Sequence, residues 1–399
     1  MNNRFKVAIV GGGASGLSLA VSLIFYGVNG KDVLILERND RVGKKLLATG
    51  NGQGNVSNAR IEKAFYHGDE KIVSAFLNGL KTFNLKDWFY SLGVALKEDE
   101  EGKIYPVSKQ ANAVLDAFRA FLNKNGVNIV TGAKVTAIEK VKDAFTLYAG
   151  EERFYSDTVA LAFGGASGKQ FGTDGTSYAL AETFGHKITP LYPSLVQLKT
   201  KTDKIRGLKG IKERARVTVL DGEKKIKSET GEVLFTEYGV SGSAVFKVSG
   251  YCAGLSRPKI KIEFLPDSTE EDVARIVNDK LRLDFLEKDD ILSGLVNKIL
   301  GRAILKTVGE LSPERIAGAL KNFTLDITGN TGFNNSQVTK GGIDGGAIDP
   351  DTFESKLQNG LFITGEALNV DGDCGGYNLT FAFYSACRAA QAIAKKLGK

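Results

Sequence analysis

Apolar positions along this 399-residue chain change their period from segment to segment. Near the start, Lys6 to Val10 (KVAIV) is a short apolar run and GGGASG a tight glycine turn. Ala14 to Tyr26 is an apolar stretch of helical length, and DVLILE a second apolar run ending at Glu37. Short apolar runs bounded by turn signals read as buried strands, so the segment predicts strand, turn, helix, strand. That is the order of a nucleotide-binding βαβ unit. Residues 66 to 104 predict two short helices. In the next stretch Val114, Leu115, Phe118, Phe121 and Leu122 share one helical face, with Ser108 as the cap. A strand, a small meander and a longer strand follow, the last ending in Gly164 and Gly165.

From about Pro190 the period shortens. RARVTVL and PKIKIEFL alternate apolar with polar residues between Gly, Asp and Lys turns, which predicts a β-rich module. Two capped helices come next, one opened by a capping box from Ser268 to Glu271, the other by Ser312 with Pro313 at its first position. FTLDITGN and NGLFITGEALNVDG return to strand character, and TFAFYSACRAAQAIAKKLG is a closing amphipathic helix. The expected organisation is residues 1–189 as the first part of a nucleotide domain, 190–328 as an inserted substrate or cap domain, and 329–399 as the return.

Composition narrows the class. At 42% hydrophobic and 25% charged residues, the chain is ordinary globular material. Three cysteines, Cys252, Cys374 and Cys387, make neither a disulfide framework nor a zinc pattern and favour a reducing compartment. With only His67 and His186, no histidine-rich metal site is expected. No run of eighteen apolar residues occurs and the N-terminus has no leader pattern, so the expectation is a cytoplasmic protein without a membrane span. The formal charge of +7 concentrates in residues 199–227, with eleven Lys or Arg against four Asp or Glu. A solvated face is the first reading of that segment, a docking surface for an acidic substrate or nicotinamide cofactor the second; nucleic acid is not expected as a partner.

The glycine turn carries chemistry. Gly11 permits the sharp turn, Gly13 lets the backbone approach a pyrophosphate, and Gly16 lets the helix pack on the sheet. Phosphates then meet the helix N-terminus, and Glu37 stands where a carboxylate accepts both ribose hydroxyls, with Arg38 beside it. ERNDRVGKKLLATGNGQGNVSN is too polar for the next helix of a plain nicotinamide domain and suits a loop along a second, larger half of the ligand. There Lys44 and Lys45 can face the pyrophosphate or the carbonyls of a flavin pyrimidine, while Thr49 to Asn55 offer amides without bulk. The cluster GGASGKQFGTDG lacks a clean turn into a helix and is a weaker candidate for a second nucleotide.

VAIVGGGASGL, GKKLLATGNGQGNVSN, GKIYPVSKQA, GEVLFTEYGVSG, VTKGGIDGGAIDPDTFESKL and GLFITGEALNVDGDCGGYNLTFAF stand in this order along nearly the whole chain. Together they resemble the BaiN/YhiN-like bacterial flavoproteins of aminoacetone-oxidase type. The resemblance implies an α/β fold, a glutathione-reductase-type FAD-binding Rossmann-like domain interrupted by a β-rich and helical insertion, with FAD held non-covalently. It implies a cofactor site at Gly11, Gly13, Ala14, Ser15, Gly16, Glu37, Lys45, Leu46, Asn51, Gly52, Asn55, Val135, Gly165, Gly365, Glu366, Asn378 and Leu379, and the terminal glycine loop itself is expected to bring Gly376 beside the reactive ring.

The chain departs from the family pattern in two places. GNGQGN, with Gln53 and Gly54, replaces Gly-Gly-Gly-Arg-Cys-Asn, and Glu237 with Tyr238 stands where a His commonly precedes the GLSG block. The expected activity is hydride or electron transfer between flavin N5 and a small organic substrate or NAD(P)H, with NADH or NADPH as reductant. Lys45, Tyr238 and Tyr377 are the candidate catalytic residues, each with a plainer reading as an exposed lysine or a stacking ring. Cys374, lacking a CxxC partner, reads as a small buried thiol before a redox centre. The rival readings are a flavin-binding redox sensor or scaffold without turnover, and an RNA-modifying flavoprotein. Substrate and oligomeric state stay open.

Overall fold

A computed structural model describes residues 4–399. The chain divides into two compact units, the stretch up to Tyr192 together with Val338–Lys399, and Pro193–Gln337.

The first unit is built on a seven-stranded sheet. Asn128–Val130, Val33–Leu36, Arg4–Val10, Glu152–Leu161 and Leu361–Ile363 run parallel in that spatial order. The first half of the long strand Glu152–Leu161 instead pairs antiparallel with Ala144–Ala149, which pairs with Val135–Val141 to form the meander. The register places Val130, Leu36, Val10, Leu161 and Ile363 in one row across the sheet. Every parallel strand therefore leaves the sheet at the same edge, and the residues that follow are Glu37, Gly11, Gly164 with Gly165, and Thr364 to Glu366. In open parallel sheets that carboxyl edge is where ligands bind. The strands read as continuous apolar runs because both faces are covered: Val7 to Ile9 and Val33 to Ile35 are fully buried. Helix Ala14–Phe25 packs against the C-terminal helix Tyr377–Lys396, close enough for Ser22 Oγ and Cys387 Sγ to lie 3.0 Å apart.

The second unit is a closed six-stranded barrel, in spatial order Leu198–Thr200, Gly239–Ser241, Lys224–Phe235, Lys212–Asp221, Pro258–Phe264 and Phe323–Asn330. The alternating pattern of RARVTVL and PKIKIEFL has its cause here. Ala215, Val217 and Val219 stand opposite Phe264, Ile262 and Ile260, and all six are fully buried, so the interior is packed with side chains. Helices Glu270–Leu281, Lys298–Thr307 and Pro313–Lys321 accompany the barrel.

Three sequence expectations need correction. Phe323–Asn330 closes the barrel by pairing with Pro258–Phe264 and Leu198–Thr200, so a boundary at 328 would cut a strand. The capping box sits one residue later than expected, with Thr269 Oγ1 accepting from Asp272 N and the Asp272 carboxylate accepting from Thr269 N. Helix Ala111–Lys124 begins after Gln110, whose side chain makes no cap, and Ser108 lies outside it. The Ser312 cap with Pro313 at the first position is as expected.

Candidate cofactor cradle and its family

The glycine turn is built by close contacts. Gly11, at φ +110°, donates its amide to Leu36 O at 2.9 Å, and a Cβ there would lie 2.5 Å from Ala162 O. On Gly16 a Cβ would lie 1.9 Å from Gly11 O. Gly13 is different: a Cβ would meet nothing within 4 Å, so its backbone faces open space at the start of helix Ala14–Phe25. No side chain caps that helix, which leaves its first amides to an anion. Ser15 Oγ donates to Thr364 Oγ1 at 2.8 Å, tying this turn to the last strand of the sheet.

Glu37 is buried, and its carboxylate is held from both sides. Oε2 accepts from Gly12 N at 2.8 Å, while Oε1 accepts from Asn39 N at 2.8 Å and Asn39 Nδ2 at 2.7 Å. Arg38, grouped with the cofactor residues on sequence grounds, forms a two-pronged ion pair with Asp174 at 2.7 and 2.9 Å. Burial alone would raise the Asp174 carboxyl; Arg38 and the Thr176 hydroxyl and amide outweigh it and hold the group well below the usual carboxylate range. The second glycine cluster thus braces the first. Asn39 Nδ2 also reaches Phe171 O at 2.9 Å. Val135 is buried at the start of the meander, and the nearby Ala133 N donates to Glu37 O at 2.9 Å.

The polar extension folds as a string of left-handed residues, Gly50, Asn51, Gly52 and Gly54, with φ of 56°, 54°, 84° and 73°. Chains that mix left- and right-handed residues turn successive amides toward one side, a concave anion seat. Lys45 from this loop meets Glu366 Oε2 at 2.7 Å, and Glu366 Oε1 accepts from Thr339 N at 2.9 Å. Gly165 abuts the same group, since a Cβ there would lie 3.1 Å from Glu366 Oε1. Leu46 is buried.

The C-terminal loop closes the arrangement. Gly376, at φ +95°, sits so close to Ser57 that a Cβ would lie 2.3 Å from its carbonyl oxygen. Asn55 bridges the two in the amide orientation that satisfies both ends, donating to Ser57 O at 2.8 Å and accepting from Gly376 N at 3.2 Å. Asn378 turns its side chain back to the loop, accepting from Gly372 N at 2.8 Å and donating to Gly372 O at 2.7 Å. What Asn378 and Leu379 can offer a ligand is therefore backbone, at the N-terminus of a helix that no side chain caps. Tyr377 stacks on Phe65 with ring centroids 4.8 Å apart, and burial pushes its hydroxyl up to about 12. Of its two expected roles, stacking is the one with a partner. Cys374 is half-buried rather than buried. Tyr238 belongs to the other unit and is 40% exposed.

Two groups that sequence reasoning did not single out also belong to this edge. Tyr178 is buried with no partner for its hydroxyl, raised far above the phenol range by burial and then by the charge of Glu366. Asp371 is buried with no partner for Oδ1. An uncapped helix, an open Gly13, a doubly held carboxylate and two orphaned polar atoms fit a bound dinucleotide whose second half extends toward the C-terminal loop.

Comparison with known proteins agrees. The 3-dehydro-bile acid delta(4,6)-reductase of Clostridium scindens is 36% identical, the match spanning 98% of this chain and 99% of the relative. The ribosomal RNA dihydrouridine synthase of Haemophilus influenzae is 27% identical, over 99% of this chain and 100% of the relative. In overall fold the chain resembles the 3-ketosteroid delta1-dehydrogenase of Sterolibacterium denitrificans, with a TM-score of 0.54 at 12% identity and coverage of 99% and 100%. The architecture is the glutathione-reductase-type, Rossmann-like fold, as the sequence implied. Residues 5–392 match the HI0933-like protein Rossmann domain, and the chain belongs to that family.

Proposed function

We propose that this FAD-dependent oxidoreductase reduces a carbon–carbon double bond conjugated to a carbonyl in a small organic molecule, drawing its electrons from NADH or NADPH. The observation that carries the reading is the pair of relatives. Their names describe different substrates but one kind of bond: a delta(4,6)-unsaturated 3-oxo compound and a uracil ring each hold a C=C in conjugation with a carbonyl. When bound, non-covalent FAD supplies hydride chemistry at its N5. The chain's own part is to hold the cofactor. Glu37 takes the adenosine ribose, the amides after Gly13 the pyrophosphate, and the amides of Asn378 and Leu379 the charge that develops on the flavin pyrimidine on reduction. Glu366, anchored by Lys45 and Thr339, would face the ligand from the turn after the last strand. The barrel unit is the substrate or cap domain of this reading, and a cytoplasmic setting suits its cysteine usage. No helix among the described residues is long and apolar enough to cross a membrane.

A ribosomal RNA substrate is the second reading, favoured by the dihydrouridine synthase relatives. Against it stands the state of the basic segment. Lys201, Arg206, Lys209, Lys212, Arg214, Arg216 and Lys227 each pair with a carboxylate, so much of its charge is already neutralised.

Anaerobic titration separates these readings from a sensor without turnover. Purified protein should be yellow, bleach with NADH or NADPH, and recover its flavin absorbance on adding a 4-en-3-oxo steroid, with hydrogen gained across the double bond of the product. A flavin that no conjugated enone reoxidises would remove the double-bond reading. Dihydrouridine appearing in ribosomal RNA incubated with the reduced protein would move the assignment to the second.

A further inference from the structure

Asp371 is the buried acid among the two orphaned groups at the cradle's edge. It lies in the short strand Val370–Gly372, which pairs antiparallel with Tyr66–Gly68 so that Asp371 stands opposite His67. Directly opposed residues of an antiparallel pair project to the same face. Two residues on, Asp373 Oδ1 lies 2.8 Å from His67 Nε2. Asp371 itself is only 2% exposed, and its Oδ1 meets no hydrogen-bond partner. The charged groups around it are His67 on the facing strand, Asp373 on its own segment, Glu366 from the preceding turn, and Lys340 from strand Val338–Lys340. Burial raises the Asp371 carboxyl above its ordinary value, Lys340 and His67 oppose that rise, and Asp373 and Glu366 add to it.

A carboxylate in that place lacks the donor that would compensate its burial, whereas a neutral carboxylic acid has no charge to compensate and keeps an O–H free to donate to a ligand. We propose that Asp371 is a neutral carboxylic acid whose Oδ1 holds the proton consumed in double-bond reduction, and that the His67–Asp373 pair resupplies it from solvent. The proposal rests on the reading of the reaction given above. Reduction of a conjugated C=C places a hydride on the β carbon, with both electrons drawn ultimately from a reduced nicotinamide, and a proton on the α carbon. The π pair becomes the new α C–H bond, and the carboxyl is left as a carboxylate. A proton drawn from solvent then returns to the carboxylate by way of the His67–Asp373 pair. His67 is the wetter end of its pair, with 19% of its side chain exposed against 11% for Asp373.

Infrared difference spectra of wild type against Asp371→Asn at neutral pH test the first half directly, in flavin-free and FAD-loaded protein alike. The carbonyl stretch of a protonated carboxyl should be present in wild type, shift in D2O and vanish in the variant. Absence of that band in wild type, or its survival in Asp371→Asn, overturns the proposal whatever the substrate. For the second half, dithionite-reduced enzyme is mixed with cyclohex-2-enone or with ferricyanide, which takes electrons but no proton onto carbon. Asp371→Asn should slow the enone arm at least tenfold and spare the ferricyanide arm; equal loss in both overturns the role. His67→Gln, which keeps the carboxyl, should retain the infrared band, spare the ferricyanide arm and slow enone reduction under repeated turnover, where the carboxyl must be reprotonated; an unchanged turnover rate overturns the resupply role. If wild type ignores the enone, the double-bond reading fails, and the band with its change on flavin reduction still decides Asp371.

Discussion

Lys45 and Glu366 form an ion pair at 2.7 Å across 321 residues of sequence, joining the polar loop after the second strand to the turn after the last. Both side chains are mostly buried, so the pair is screened less than a surface contact. Removing one partner strands the other charge. Lys45→Met and Glu366→Gln should each destabilise the flavin-free protein by about 1–3 kcal/mol, with the double variant costing less than the sum. Urea unfolding of the four proteins measures the coupling, and additive losses would mean the two do not interact.

The glycines of the first turn should separate folding from binding. Gly13→Ala places its Cβ in open space at an ordinary φ of −84°, so thermal stability of the flavin-free protein should change by no more than about 0.5 kcal/mol. FAD affinity should nonetheless fall at least tenfold, about 1.4 kcal/mol, because the ligand needs that space. Gly11→Ala meets Ala162 O at 2.5 Å with φ at +110°, and should cost about 2 kcal/mol or more before any ligand is added. Melting curves and flavin fluorescence titrations of the two variants check both halves.

Gly376→Val drives a branched side chain into the Ser57 carbonyl, 2.3 Å from the new Cβ, at a φ of +95° that a β-branched residue resists. The loop should shift and the purified protein should carry little FAD. Unchanged flavin content per chain, read from absorbance after denaturation, would refute the placement of Gly376 beside the cofactor.

His186 is buried, with Nε2 2.8 Å from Ser355 Oγ and no partner for Nδ1, and burial lowers its pKa below the ordinary 6.5. The folded state therefore resists the proton that the unfolded chain accepts. Its contribution is complete above the unfolded value and is lost as pH falls below about 6.5 toward the folded value. Melting temperature should rise with pH through that window, and the slope should shrink in His186→Gln. An unaltered slope would assign the acid sensitivity to other groups.

Legibility followed chain locality. Gly11, Gly13, Gly16 and Glu37 act within one βαβ unit, so their spacing carries their geometry. Ser312 and Pro313 likewise announce their helix by themselves. Ser268 is not the cap: its carbonyl accepts from the buried Lys321 Nζ at 2.5 Å, and the helix starts one residue later with Thr269 as its cap. Lys298–Thr307 was not anticipated: Gly301 in its middle reads as a breaker, yet it serves close packing, since a Cβ there would lie 2.9 Å from Leu292 Cβ. Barrel closure by a three-residue strand, the Lys45–Glu366 pair and the opposition of Asp371 to His67 all depend on partners more than a hundred residues away. No local pattern encodes such a meeting.

The row of strand ends from Val130 to Ile363 also bears on biosynthesis. Translation delivers Gly11 and Glu37 more than 320 residues before Glu366, Gly376 and the uncapped helix that follows. A ribosome-bound or prematurely terminated chain thus has only half a cradle, whatever its insertion has done by then. With FAD in this cradle, its capture would require that Leu361–Ile363 has joined the sheet and that Tyr377–Lys396 has packed, so flavin content would report their docking.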